Sequence, residues 1–414
     1  MNRIYLLFIL SLFMLKMDIC AQFNPVVKTG LEVLKESDFA LLKGKNIGLI
    51  TNPTGVDNSL KSTIDIFYEE NDINLVAIFS PEHGIRGNVS AGDKVKSGVD
   101  PVTGIPVYSL YGKNEGPTAS MLKGIDVLVY DIQDIGVRSY TYISTMGKAM
   151  EAAAKSNVKF VVLDRPNPLG GLKMEGPLSK KGYFSIVGAY PIPYVYGLTV
   201  GELAMMINGE GLLQDGAKCD LTVVKMQGWK RDMLFDDTGL PWVPSSPHIP
   251  HANTAFYYVA TGILGELMVI NNGVGYTLPF RLLGAEWIDA QKICNRMNAL
   301  GLKGVAFRPI YYKPYYTPWK GQNLGGIQIY ITNPYNVNLM SIQFLFLQEL
   351  HKLYPEKDIL ALSKDRHAMF DKVCGSDEIR KSFFKNYNFD DIKPLLYRDL
   401  KGFRLKAGKY YLYD

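Results

Sequence analysis

The chain has 414 residues, 47% of them hydrophobic, and a formal net charge of +5. That composition can furnish two domains, each with its own core. The basic residues are too scattered to mark a nucleic-acid partner.

The N-terminus reads as an export signal. Arg3 supplies the positive start, residues 4–14 are almost wholly apolar, and Ala21 offers a small residue for cleavage, giving a signal peptide over 1–21. The apolar run is too short to span a bilayer, which takes about 20 residues. Lipidation at Cys20 is the less favoured alternative, because Asp18 and Ile19 stand where small residues are wanted. The mature protein is expected to be periplasmic or secreted, with no firm sign of membrane anchoring. Cys219, Cys294 and Cys374 are odd in number and far apart, so they read as buried thiols rather than a disulfide framework or zinc ligands.

From residue 45 to about 168 the pattern alternates between two periods. NIGLITN (46–52), NLVAIFS (74–80), IPVYSLYG (105–112), IDVLVYDIQD (125–134) and KFVVLDRP (159–166) are apolar runs of the kind a strand buried on both faces requires. Helices are expected over 57–71, with Ile64, Ile66 and Phe67 apolar, and over 141–156. Strands alternating with helices predict an α/β fold, a doubly wound parallel sheet, over 22–182. A smaller α+β C-terminal domain is expected over 183–414. Its first helix, 196–209, carries Thr199 and Glu202 in capping-box spacing. A strand follows at 220–229, then the proline-rich GLPWVPSSPHIPH (239–251), which must be an ordered loop. VAFRPIYYKP and GGIQIYIT read as strands and 339–353 as a helix. Tyr311, Tyr312, Tyr315 and Tyr316 either line a carbohydrate cleft or pack in a core.

Open parallel sheets bind ligands beyond the carboxyl ends of their strands. Polar, Gly/Pro-shaped loops gather at those ends here: NPTG (52–55), SPEHG (80–84), YDIQDIGVRSYTY (130–142) and DRPNPLGG (164–171). The first is not the glycine-rich turn of a dinucleotide site, and no Walker-type loop is present, so chemistry without a cofactor is expected. Glu82 leaves its strand beside apolar neighbours. Desolvation there would raise its pKa and suit it to general-acid work. Asp131 and Asp134 are spaced to orient a water, bind hydroxyls, ligate a metal or cap a helix. Arg138 can pair with either, or grip an anion. Asp164 and Arg165 form an internal pair or face a ligand. His83, His248 and His251 lack metal-site spacing, and no metal is expected.

Taken in order, NPTG, SPEHG, YDIQDIGVRSYTY, DRPNPLGG, EGP (175–177) and the proline loop resemble the exo-β-N-acetylmuramidases of peptidoglycan recycling, a family first grouped as a domain of unknown function. The resemblance covers nearly the whole mature chain. It implies a Rossmann-like domain joined to a smaller α+β domain, with the active site in the interdomain cleft. It also implies hydrolytic release of N-acetylmuramic acid (MurNAc) from the non-reducing ends of peptidoglycan fragments such as MurNAc-GlcNAc. The family's catalytic glutamate maps to Glu82. Its polar cleft residues map to Asn52, His83, Asp131, Gln133, Arg138, Tyr140, Asp164, Arg165, Asn167 and Glu175. One segment departs. Where many relatives carry an EGTN…GRGT-like stretch, residues 265–280 retain Glu266 but place Val274 and Tyr276 at the arginine and threonine positions.

On this reading Glu82 protonates the leaving oxygen. The substrate's own acetamido group, steadied by Asp131 or Asp134, or a water activated by a second acid, then attacks the anomeric carbon. The lactyl carboxylate of MurNAc would fall to Arg86, Arg138 or Arg165. Two rivals remain. An esterase would need a nucleophile elbow, which the sequence lacks. A periplasmic sugar- or muropeptide-binding protein without hydrolytic activity would share the two-lobed shape.

Overall fold

A computed structural model describes residues 26–82, 84–85, 97–112 and 116–414. The segment 1–21 with Cys20, and the side chains of His83 and Arg86, lie outside the described residues.

Seven strands form the main sheet: β1 (Asn46–Thr51), β2 (Asn74–Ser80), β3 (Gly98–Val99), β4 (Pro106–Ser109), β5 (Val127–Asp131), β6 (Lys159–Leu163) and β7 (Leu221–Val224). Their order is β3-β4-β2-β1-β5-β6-β7. Every neighbouring pair is parallel except β3 and β4. The central strands are apolar throughout because both faces are covered. Ile47, Leu49, Val127, Val129, Val161 and Leu163 enter one core. Ile50, Leu128, Tyr130, Phe160 and Val162 enter the other.

Two expectations change. The strand expected in the second domain is β7, and it pairs in parallel with β6, Phe160 opposite Leu221 through Leu163 opposite Val224. A domain boundary at 182 would cut this sheet, so the first unit runs further along the chain. The helix expected from 57 is confined to Thr63–Glu69. Asp57 holds the preceding residues in a turn: its Oδ1 accepts from the Ser59 N–H at 2.9 Å and the Lys61 N–H at 2.9 Å, while Lys35 bonds Oδ2 at 2.6 Å. A side chain that captures nearby backbone donors competes with helix formation, and Ser62 caps the helix only afterwards.

The second unit carries an antiparallel sheet ordered β8-β10-β9, from β8 (Leu282–Ala285), β9 (Val305–Tyr312) and β10 (Leu324–Ile331). The helices Thr254–Gly265, Ala290–Ala299 and Leu339–Leu353 accompany it. The units share an apolar core. One cluster runs from Tyr130 and Ile143 to Ile263 and Leu347. Tyr312 belongs to a smaller cluster with Leu282, Ile310 and Leu324, whereas Tyr311, Tyr315 and Tyr316 are exposed. The capping box at Thr199 and Glu202 forms as the spacing predicts, and Cys219, Cys294 and Cys374 are free and buried.

Candidate active site

The strand order reverses between β1 and β5, which is where an open sheet of this kind leaves a crevice. Thr51 stands opposite Asp131 at that point. Most polar side chains expected to meet a ligand there are engaged with the protein instead. Asp131 is fully buried. Arg165 grips both of its oxygens, Nε to Oδ1 at 2.6 Å and Nη2 to Oδ2 at 2.9 Å, and Thr63 adds a bond to Oδ2 at 2.5 Å. Asp131 therefore has no edge left for a substrate amide, and Arg165 none of its side-on edge for a lactyl carboxylate. A crevice of about 20 Å³ beside Gln133 and Arg165 has room for about one water.

Asp134 is also buried. Its Oδ2 accepts from the Tyr196 phenol and from the Gly136 N–H, the latter at 2.7 Å, while Oδ1 has no partner. Burial pushes its pKa up to about 6 against the pull of those two donors. Gly136 must be glycine: its φ is +76°, and a Cβ there would stand 2.2 Å from the Asn167 Oδ1. Asn167 shapes its own turn, accepting from the Leu169 N–H at 3.0 Å and donating to the Leu198 carbonyl at 2.9 Å. Gln133 donates to the Asp134 and Pro166 carbonyls.

Asp164 serves the helix Val200–Gly209. It accepts from Thr199 Oγ1 at 2.7 Å, the Gly201 N–H at 2.8 Å and Tyr413 at 2.6 Å, and burial again raises it to about 6. Glu175 accepts from the Met340 N–H at 2.9 Å at the start of Leu339–Leu353, and burial holds its pKa above the usual carboxylate value. Arg138 is 0% exposed and, among the described residues, pairs with no carboxylate. Its guanidinium donates to the carbonyls of Pro177, Ile192 and Val373, at 2.5, 2.7 and 2.7 Å, so it sews three segments of the two units together. Burial lowers its pKa to about 10. Asn52 accepts from the Thr54 N–H and hydroxyl, and its amide nitrogen is buried without a partner.

The large cavity lies beyond this frame, between the units. Its volume is about 590 Å³, within the range of small-molecule sites. Glu82, Tyr111, Tyr140, Thr141, Tyr142, Ser246, His248, Tyr258, Glu266, Trp319 and Arg366 are among the residues that line it. Of the residues expected at the site, Glu82, Tyr140 and Glu266 meet here. The others described do not reach it.

Thr141 donates to Glu82 Oε2 at 2.7 Å. Thr141 is also the N-cap of the helix Tyr142–Ser156, yet makes no side-chain capping bond, so its hydroxyl serves the glutamate rather than the helix. The Tyr111 phenol lies near the same carboxylate, and burial together with that negative charge pushes its pKa up to about 12. Tyr140 bonds Ser245 Oγ at 2.8 Å and Tyr142 donates to the Ser245 carbonyl at 2.5 Å, which fixes the proline loop against the helix. His248, from the same loop, stacks on Tyr316.

Glu266 closes the helix Thr254–Gly265. Its Oε2 meets Arg366 Nη2 at 3.0 Å, and its carbonyl accepts from Arg366 Nε at 3.0 Å. Burial raises the Glu266 pKa and Arg366 partly opposes this. Among the described residues no group of His, Cys, Asp and Glu could hold a metal ion. Sequence reasoning missed Arg366, His248 as a cavity residue, Tyr258 and Trp319. Thr141 lay inside a quoted motif, but Arg366 sits in a short helical turn with no local pattern to single it out.

The N-terminal model of the family described as exo-beta-N-acetylmuramidase NamZ matches residues 47–253, and its C-terminal model matches 256–413. A peptidoglycan beta-N-acetylmuramidase NamZ of Bacillus subtilis (strain 168) is 45% identical over 390 residues, 94% of this chain and 92% of that one. Among solved structures, a DUF1343 family protein of Bacteroides fragilis NCTC 9343 superposes with a TM-score of 0.90 at 54% identity, covering 94% of this chain and all of the other. A second DUF1343 protein of that organism gives 0.75 at 30% identity, over 94% of this chain and 99% of its own. With both halves matched and a relative of this identity along nearly its whole length, the chain belongs to the exo-β-N-acetylmuramidase NamZ family.

Proposed function

We propose that this protein is an exo-acting β-N-acetylmuramidase that releases MurNAc from the non-reducing ends of peptidoglycan fragments, with Glu82 as the general acid. The observation that carries the reading is a carboxyl group held by Thr141 on the wall of a sugar-sized cavity. Membership in a family of muramidases supports it. In the reaction, Glu82 gives its proton to the oxygen that links MurNAc to the following GlcNAc as the glycosidic bond breaks. Asp131, tied at both oxygens to Arg165 and Thr63, is not the group that steadies the anomeric centre. The second carboxyl on the cavity wall is Glu266.

Export through the N-terminal signal would bring the enzyme to its substrate outside the cytoplasm. The test is digestion of MurNAc-GlcNAc and of longer glycan fragments by the purified protein, followed by NMR from the first seconds. Free MurNAc is the expected result, one released from each chain end and leaving GlcNAc at the new non-reducing end. The first-formed anomer reports retention, as acetamido participation demands, or inversion by water. Internal fragments, or no released MurNAc, would contradict the proposal. Binding of the fragments without cleavage would instead favour the sugar-binding reading.

A further inference from the structure

Resting on that reading, the question is how the site would tell MurNAc from other N-acetylhexosamines. MurNAc differs from GlcNAc by a lactyl ether that ends in a carboxylate. Three arginines were expected to meet it. Arg86 lies outside the described residues, Arg138 spends its guanidinium on three carbonyls, and Arg165 on Asp131. Val274 lines the cavity without charge. Among the described residues, the arginine that lines it is Arg366.

Its geometry suits a ligand. Arg366 Nε and Nη2 are both turned to Glu266, the first to its carbonyl and the second to its carboxylate. Those atoms make up the side-on edge of the guanidinium. A guanidinium has five N–H donors, so the Nη1–Nη2 edge keeps the parallel pair of donors that a carboxylate accepts bidentately. The side chain is 40% exposed and lines the cavity, while its Nε–Nη2 edge is held by Glu266. Glu266 is itself 32% exposed.

We infer that Arg366, oriented by Glu266, is a specificity-determining residue that takes the lactyl carboxylate through its Nη1–Nη2 edge. Glu82 faces the same cavity. Anchoring the substrate's acid on Arg366 would therefore set which way round the sugar lies against the proton donor.

The experiment compares MurNAc with its lactyl methylamide, which keeps the ring and the ether but removes the charge. Calorimetric binding of each is measured with the wild type, Arg366→Gln and Arg366→Lys, alongside wild-type hydrolysis of a chromogenic β-MurNAc glycoside. The wild type should favour the acid by about 10- to 100-fold, as for a charged hydrogen-bonded pair. Arg366→Gln should lose that preference, and Arg366→Lys, with a charge but no fork, should keep part of it. Equal binding of acid and amide by the wild type overturns the inference, as does a full preference surviving in Arg366→Gln. Should Arg366→Gln fail to fold, the wild-type comparison and Arg366→Lys still decide. Wild-type hydrolysis reports separately on the reaction itself. An enzyme that cleaves but does not discriminate sinks only the arginine, and one that discriminates but does not cleave sinks only the muramidase.

Discussion

Glu82 and Asp134 leave the same edge of the same sheet, yet their surroundings set them different tasks. Glu82 reaches the cavity and accepts a hydrogen bond from Thr141. Asp134 is sealed beneath it with one oxygen unpartnered. With its pKa raised to about 6 from 3.8, Asp134 holds a proton in the folded state between about pH 4 and 6 that the unfolded chain has released. Its contribution to stability is therefore fully present below about pH 4 and lost as pH rises through 6. Asp134→Asn should raise the melting temperature near pH 8, by an amount equivalent to about 3 kcal/mol, and change it little near pH 4. Calorimetry at the two pH values checks this, and an equal gain at both would show that burial of the charge is not the cause. Thr141→Val separates function from folding at one residue. The hydroxyl makes no capping bond, so stability should move by less than about 0.5 kcal/mol. The lost bond to Glu82 should lower kcat by about tenfold.

Periodicity and capping chemistry made many elements legible. The central strands are apolar because both their faces are buried, and the helix at Val200–Gly209 could be read from Thr199 and Glu202 alone. Thr199 also bonds Asp164, so Thr199→Ala should cost about 1–2 kcal/mol in urea unfolding. A loss below ~0.3 kcal/mol would mean the box contributes nothing. What misled was local. Asp57 captured the residues before the second helix in a turn. β7 looked like the start of a new sheet because a strand's partner is not encoded in its own pattern. The motifs did mark the strand-end loops, but a loop rich in Asp, Arg and Asn can serve a ligand or its own backbone. Here Asp131, Arg165, Asn167 and Asp164 serve the backbone and one another, and only contacts distant in sequence reveal it.

At the scale of the whole molecule, the cavity depends on how firmly the two units are joined. Arg138 links Pro177 and Ile192 to Val373. The C-terminal residues return to the first unit: Asp414 accepts from the Arg231 N–H at 2.7 Å, Leu412 donates to Glu202 at 2.9 Å, and the Tyr411 ring lies 3.6 Å from the Arg231 guanidinium. Arg138→Ala should destabilise by about 3–5 kcal/mol, because three buried carbonyls lose their donor. Independent melting of two units, rather than one lowered transition, would show that they are not coupled in this way. The long reach of these contacts also explains why Arg366 was invisible in the sequence. Residues from both units build the cavity, and no local pattern announces one that arrives from the other side.

Glu82, as the proton donor, is the residue on which the proposed hydrolysis turns. Initial rates on a chromogenic β-MurNAc glycoside test this most directly, measured for the wild type and for Glu82→Gln, which keeps the side chain's size and its hydrogen bond from Thr141. The wild type should cleave, and the variant should lose about 10²- to 10⁴-fold in kcat while still binding MurNAc. A variant that cleaves as fast as the wild type would contradict the assignment.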